Sequence, residues 1–464
     1  MSPRRDDRGK DDRGKDDRGR AGQPPETEPT ASSADVDLGT LADLVCAYTG
    51  RRSGSEFGDS AQLVDAEVMV SGRPGIVDVV AEAGGKVLHL PVGLRVPGDE
   101  PRPLPEADDS VLGLFEDEQG VAMASEATAD AELCSLLLHA VTGESADPAL
   151  VRQLRMGTGA VTLAMDERLA FTVFTEVSPG PRLGLELLTA LDEQGFNHMA
   201  APVAFWRRGG RDLGLVQEYL AGASVGWALA MTSVRDLYAS GGPPELAGGD
   251  FGAEARRLGT MTARMHLALA DAFGRRDGEV GAWADSLEAV VAQLAPNLAD
   301  RPEVAEVLAQ LRSVSDPCRA IRTHGDFHLG RVYRNEQGWY VGDLDPGGRP
   351  SARAATVADS AEAEATGEDV PVFRSPVADV ADMVWSFGHV ATRAADERDP
   401  TGREGLLELA AAWENRNRQA FLSGYLQVPG MAELVPHDEG SVRVMASAFE
   451  LERTAMRMAQ NTQR

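Results

Sequence analysis

The stretch HGDFHLGRVYRNEQGWYVGDLDPGGRP, residues 324 to 350, joins a dense set of metal-capable side chains to a strand-turn-strand frame. Asp326 follows a His-Gly pair. Seventeen residues later Asp343 and Asp345 flank Leu344, just after the apolar run Trp339-Tyr340-Val341. A short hairpin of this kind places both acids in one cleft.

That spacing suits phosphoryl transfer, which needs one carboxylate to orient an attacking hydroxyl and accept its proton, and a second to hold magnesium on nucleotide phosphates. In the corresponding pattern a first Asp is followed five residues on by a metal-binding Asn and then by an Asp-Phe-Gly-like triplet. Asp326 takes the first place and Asp343-Leu344-Asp345 the third, but the second is Arg331. The competing reading is of two ordinary loops with solvated acids. His324 and the strand frame, agreeing with the spacing, favour the first.

The run HGDFHLGRVYR resembles HGDLHLGQVLR, a signature of the actinobacterial maltokinases and their glucosamine-kinase relatives. Further similar stretches are VLHLPVGLR at 87 to 95, LGTMTARMHLALADAFG at 258 to 274, SPVADVADMVWSFGHVA at 375 to 391 and WENRNRQAFLSGYL at 413 to 426. The resemblance runs from about residue 37 to the end. It implies an α+β, two-lobed protein kinase-like (aminoglycoside phosphotransferase) fold with a β-rich N-terminal cap. It also implies ATP- and magnesium-dependent transfer to a hydroxyl of a sugar of the glucosamine, glucose or maltose class. The charged N-terminal repeat and the want of a long apolar run lead to the expectation of a cytoplasmic location. The C-terminal run FELERTAMRMAQNTQR is similar to the family's last helix only at its start.

On this reading Asp326 is the catalytic carboxylate, Asp343 and Asp345 hold magnesium, and Thr172, Glu186, Gln217, Tyr219 and Arg331 meet the nucleotide. His328, Trp413 and Arg416 line the sugar side. Gln217 to Leu220 is the expected hinge beside the adenine. Two positions depart from the family. Where the third N-lobe strand should carry a phosphate-gripping Lys, the run FTVFT at 171 to 175 places Thr172. Glu186, the acid expected to pair with that Lys, is left without its partner, and Arg168 or Arg182 is the nearest cation. Lysine occurs only at Lys10, Lys15 and Lys86, so none follows residue 86. These departures support a second hypothesis, a pseudokinase that binds a nucleotide, metabolite or protein partner without transfer.

The 464 residues are 43% apolar and 25% charged, enough for a large core in two or three units. Net charge is −28, which makes nucleic acid an unsuitable partner. Cys46, Cys134 and Cys318 are widely separated and lack CxxC spacing, which argues against a disulfide framework and against a zinc site. No apolar run reaches membrane-spanning length.

The expected order is a disordered tail over 1 to 36, opening with the DDRGK repeats, then a cap over 37 to 150. A kinase-like N-lobe over 151 to 220 and a helical C-lobe over 221 to 464 complete it. Lys86 is expected on the cap surface and His266 in the core. The Ala/Glu/Asp/Ser-rich run at 351 to 369 is expected to be a mobile loop beside the site.

Overall fold

The computed structural model describes residues 38–53, 62–99, 103–104, 110–156, 159–247, 249–316, 318–344, 373–398 and 404–462. The expected tail, the 351 to 369 insertion and Asp345 lie outside the described residues.

The chain begins with α1, Leu38–Ser53, which the sequence reading passed over. Its Leu41, Val45 and Tyr48 recur at helical spacing and are buried. They close one face of an antiparallel sheet built from β1 (Gln62–Val70), β2 (Gly75–Ala83), β3 (Lys86–Arg95), β4 (Val111–Asp117) and β5 (Gly120–Glu126), in the order β1-β2-β3-β5-β4. Together with Val77, Val79, Val92, Leu94 and Phe115 they form a separate small core. Next comes α2, Ala131–Thr142, started by Asp130, whose side chain accepts from the amides of Glu132 and Leu133. Gly143 ends it in the left-handed region.

A second antiparallel sheet follows, from β6 (Arg152–Met156), β7 (Ala160–Met165) and β8 (Leu169–Phe174) to β10 (Pro202–Arg208) and β11 (Arg211–Glu218). Between them, α3 (Leu183–Glu193) buries Leu185, Leu187, Leu188 and Leu191. The strand-helix-strand order predicted for this part holds, with β6 an addition. Contacts cross residue 150. The short β9, Glu176–Val177, pairs with β3 of the first sheet, and α2 packs its Leu133, Cys134, Leu137 and Leu138 into the main core.

The remainder is mostly helical, including α4 (Gly226–Ser240) and α5 (Gly252–Phe273). Three later helices are Val377–Arg398, Glu404–Leu426 and Glu439–Thr462. The helix Glu404–Leu426 approaches α5 backbone to backbone. A Cβ at Gly259 would stand 2.1 Å from the Phe421 carbonyl, and one at Gly424 would stand 2.0 Å from that of Arg256. This contact fixes α5, whose His266 supports the site. No helix among the described residues is long and apolar enough to cross a membrane.

Candidate active site

The site sits on two loops that share a hairpin. Val332–Arg334 pairs with Trp339–Val341, and the Asn335 side chain caps the turn between them by accepting from the Gln337 and Gly338 amides. Asp326 precedes the hairpin and Asp343 follows it. Asp343 adopts a left-handed backbone (φ 52°), a conformation that Asp tolerates better than most residues. Gly342 donates its amide to the Arg331 carbonyl at 2.9 Å, closing the base of the hairpin.

The loop carrying Asp326 is held from below by Asp379, a fully buried carboxylate on the helix Val377–Arg398. Its Oδ2 accepts the His324 amide at 2.8 Å and its Oδ1 the Gly325 amide at 3.0 Å. His266 Nε2 lies 3.1 Å from Oδ2, and the Tyr425 hydroxyl lies 2.9 Å from His266 Nδ1. A neutral imidazole satisfies both contacts, donating from Nε2 to the carboxylate and accepting the tyrosine proton at Nδ1. Burial alone would raise the Asp379 carboxyl, but the contacts from His266, His324 and the Gly325 amide hold it below the ordinary value. His266 is therefore a core residue, as expected, and it also orients the support of the catalytic loop.

His324 joins the two loops. Its Nδ1 accepts the Asp326 amide at 3.3 Å, which leaves Nε2–H to donate to the Gly342 carbonyl at 3.2 Å. Burial pushes its pKa down, in keeping with a neutral ring.

The structure brings Asp326 and Asp343 onto one cation, the Arg331 guanidinium. Its Nη2 is 3.1 Å from Asp326 Oδ2 and its Nη1 is 2.8 Å from Asp343 Oδ2. Two further arginines, not read from the sequence, complete the cluster. Arg155 on β6 donates to Asp343 Oδ2 at 2.5 Å, and Arg453 on Glu439–Thr462 donates to Asp326 Oδ1 at 2.7 Å. Burial alone would raise the Asp343 carboxyl, yet Arg155 and Arg331 outweigh it and hold it low. His328 stands close by, with Nε2 3.6 Å from Asp326 Oδ2, while its Nδ1 accepts the Gly330 amide.

The other candidates fall around this centre differently. Thr172 pairs hydroxyl to hydroxyl with Thr162 on the neighbouring strand, 3.1 Å away. Glu186 is not left without a partner. Arg322, two residues before His324, donates to its Oε2 at 2.8 Å, with its guanidinium 4.1 Å over the Phe273 ring. Arg182 instead bonds the Glu176 carbonyl and Arg168 faces Glu144, so neither takes the role considered for it. Gln217 donates to the Ala200 carbonyl, and the Tyr219 amide to the Arg168 carbonyl, which fixes the expected hinge segment in place. Lys86 is on the surface with Glu176.

Trp413 does not present a ring face to a ligand. It is 2% exposed, donates to Ser233 Oγ, and packs against Phe251 and Phe387. Arg416 is engaged by both carboxylate oxygens of Asp250, at 2.8 and 2.5 Å.

No protein-family model matches the chain. It is 34% identical over 255 residues to a glucosamine kinase of Streptacidiphilus jiangxiensis, covering 51% of this chain and 52% of that protein. The chain thus matches about half the length of this curated relative. A solved glucosamine kinase in complex with glucosamine, ADP and inorganic phosphate superposes with a TM-score of 0.59 at 20% identity, over 90% of this chain and 96% of that one. A second glucosamine kinase structure, crystal form A, gives 0.54 at 20% identity, over 86% and 89% of the two chains. The chain is a homologue of glucosamine kinase over the aligned segment and has the glucosamine kinase fold over most of its length.

Proposed function

We propose that the protein is an ATP-dependent phosphotransferase of the sugar-kinase class, acting on a hydroxyl held at Asp326. The observation that carries this reading is the convergence of Asp326 and Asp343 on Arg331, supported by the homology to glucosamine kinase. In the transfer, the acceptor oxygen forms a bond to the γ-phosphorus while the bond to the β–γ bridging oxygen breaks. ADP leaves with that electron pair, and the hydroxyl proton passes to Asp326. Charge on the transferring group is offset by Arg331 and Arg155, whose forked guanidiniums match phosphate oxygens. This supplies part of what the Lys missing at Thr172 would give.

Magnesium accompanies such chemistry in the fold family, and Asp343 is the described carboxylate suited to hold it. As built, the site does not fit the ion. Asp343 already accepts from Arg155 and Arg331, and a guanidinium has no lone pair to give a metal. Among the described residues no group of three metal-capable side chains occurs. A divalent ion here would have to displace Arg331.

A second reading, a pseudokinase that binds nucleotide without transfer, is favoured by one observation. Both oxygens of Asp326 are already taken by guanidiniums, those of Arg331 and Arg453. Thermal-shift titration with ATP, with and without magnesium, together with ATP consumption in the presence of glucosamine, glucose and maltose, separates the two. Acceptor-dependent consumption supports transfer. Stabilisation by ATP without consumption supports the pseudokinase.

A further inference from the structure

Beyond Arg331, a second arginine and an aromatic cluster stand beside Asp326. Arg453 holds Asp326 Oδ1, and its guanidinium also lies 5.6 Å from the Trp385 ring centroid. Trp385 is fixed at its edge by Thr454, and His389 stacks on it with centroids 4.9 Å apart. Trp227 of α4 also lies against His389, with ring centroids 5.3 Å apart. Burial, with the guanidiniums of Arg457, Arg393 and Arg453, pushes the His389 pKa down.

Arg457 lies one helical turn beyond Arg453 on the same helix face, exposed and with no ion pair among the described residues. The carboxylates of this region are largely committed. Glu397 pairs with Arg393 and Arg235, and Glu450 with Arg418. Asp382 is buried on the same helix, Val377–Arg398.

In a chain of net charge −28, two guanidiniums, those of Arg331 and Arg453, reach the one carboxylate of Asp326, and Arg457 lies one helical turn beyond Arg453. An anion entering beside Asp326 would find guanidinium donors already in place. We infer that the acceptor bound beside Asp326 is an anionic sugar, whose phosphate or carboxylate group is taken by Arg453 and Arg457. This rests on the proposed phosphotransfer at Asp326. When the anion engages Arg453, that guanidinium is drawn from Asp326 Oδ1, which leaves the oxygen open to the acceptor hydroxyl. The anion therefore both anchors the acceptor and clears the base.

The test is calorimetric titration of the full chain, saturated with a non-hydrolysable ATP analogue so that the nucleotide's own phosphate sites are filled. The ligands are glucose 6-phosphate, glucuronate, glucose and glucosamine. The anionic sugars are expected to bind at least about tenfold tighter than glucose or glucosamine, with affinity falling as salt rises. A preference for glucose 6-phosphate over glucuronate assigns the phosphate, and the reverse assigns the carboxylate. Arg457→Gln, at an exposed position, should weaken the anionic ligand while leaving glucose unchanged, and Arg453→Gln should also weaken the anionic ligand. Glucosamine binding as tightly as glucose 6-phosphate, or anion binding indifferent to both substitutions, overturns the inference. Failure of the underlying reading looks different. Anion binding with no ATP consumed by any acceptor removes the transfer and leaves the anion site standing, while ATP consumed with glucosamine alone does the reverse.

Discussion

His324 donates its Nε2–H to the Gly342 carbonyl at 3.2 Å, tying the loop that carries Asp326 to the loop that carries Asp343. His324→Ala removes this bond and the acceptor of the Asp326 amide, leaving two half-buried backbone groups without their partner. Unfolding free energy should fall by about 2–3 kcal/mol in denaturant titration, given the usual cost of orphaned polar groups. An unchanged midpoint would mean that the loops are held independently.

Glu186 and Arg322 tie the N-lobe helix α3 to the strand that leads into His324. A double-mutant cycle with Glu186→Gln and Arg322→Met should give a coupling of about 1 kcal/mol, kept small because solvent reaches the Glu186 side and screens the pair. Strict additivity of the two changes would show that the ion pair contributes nothing to joining the lobes.

Acid should reveal the buried carboxylates. Asp379 and Asp343 both have folded pKa values below the ordinary 3.8, so the unfolded chain binds protons first as pH drops. Their stabilisation is complete above the unfolded value and is lost as pH falls through the lower folded one. Between about pH 5 and pH 2, Asp379→Asn should therefore lose less stability than the parent, while being weaker than the parent at neutral pH. Parallel pH profiles for the two proteins would contradict the assignment.

Much of this site was legible because its parts lie within one short stretch. Asp326, Arg331 and Asp343 are fixed relative to each other by a hairpin whose turn and apolar strand are visible in the sequence. Arg155, Arg322, Asp379 and Arg453 were not legible as site residues, since each reaches the loops only through tertiary packing, and arginine is the common cation everywhere in this chain. Trp413 misled for a related reason. A tryptophan beside arginines suits a sugar platform, yet its indole is buried against Phe251 and bonded to Ser233. The first helix carried a readable spacing in Leu41, Val45 and Tyr48, within a stretch assigned to the cap but read only for its strands.

Arg331→Gln tests how far the guanidinium excludes a divalent ion. With Arg331 gone, Asp343 keeps only Arg155 of its two cations, and an oxygen donor stands where the guanidinium was. Nucleotide affinity measured by titration should then gain a magnesium dependence of about tenfold, roughly 1.4 kcal/mol, that the parent lacks. Equal magnesium dependence in both proteins would show that the ion and Arg331 do not compete.

The central claim is that Asp326 directs transfer to an acceptor hydroxyl, and ATP consumption by the parent and by Asp326→Asn, with neutral, amino and phosphorylated sugars as acceptors, tests it most directly. The account predicts acceptor-dependent consumption by the parent that falls at least about 100-fold in Asp326→Asn, the scale on which a positioned acid–base group acts. Parent protein that binds ATP yet consumes none with any acceptor, or consumption that survives Asp326→Asn undiminished, would contradict it.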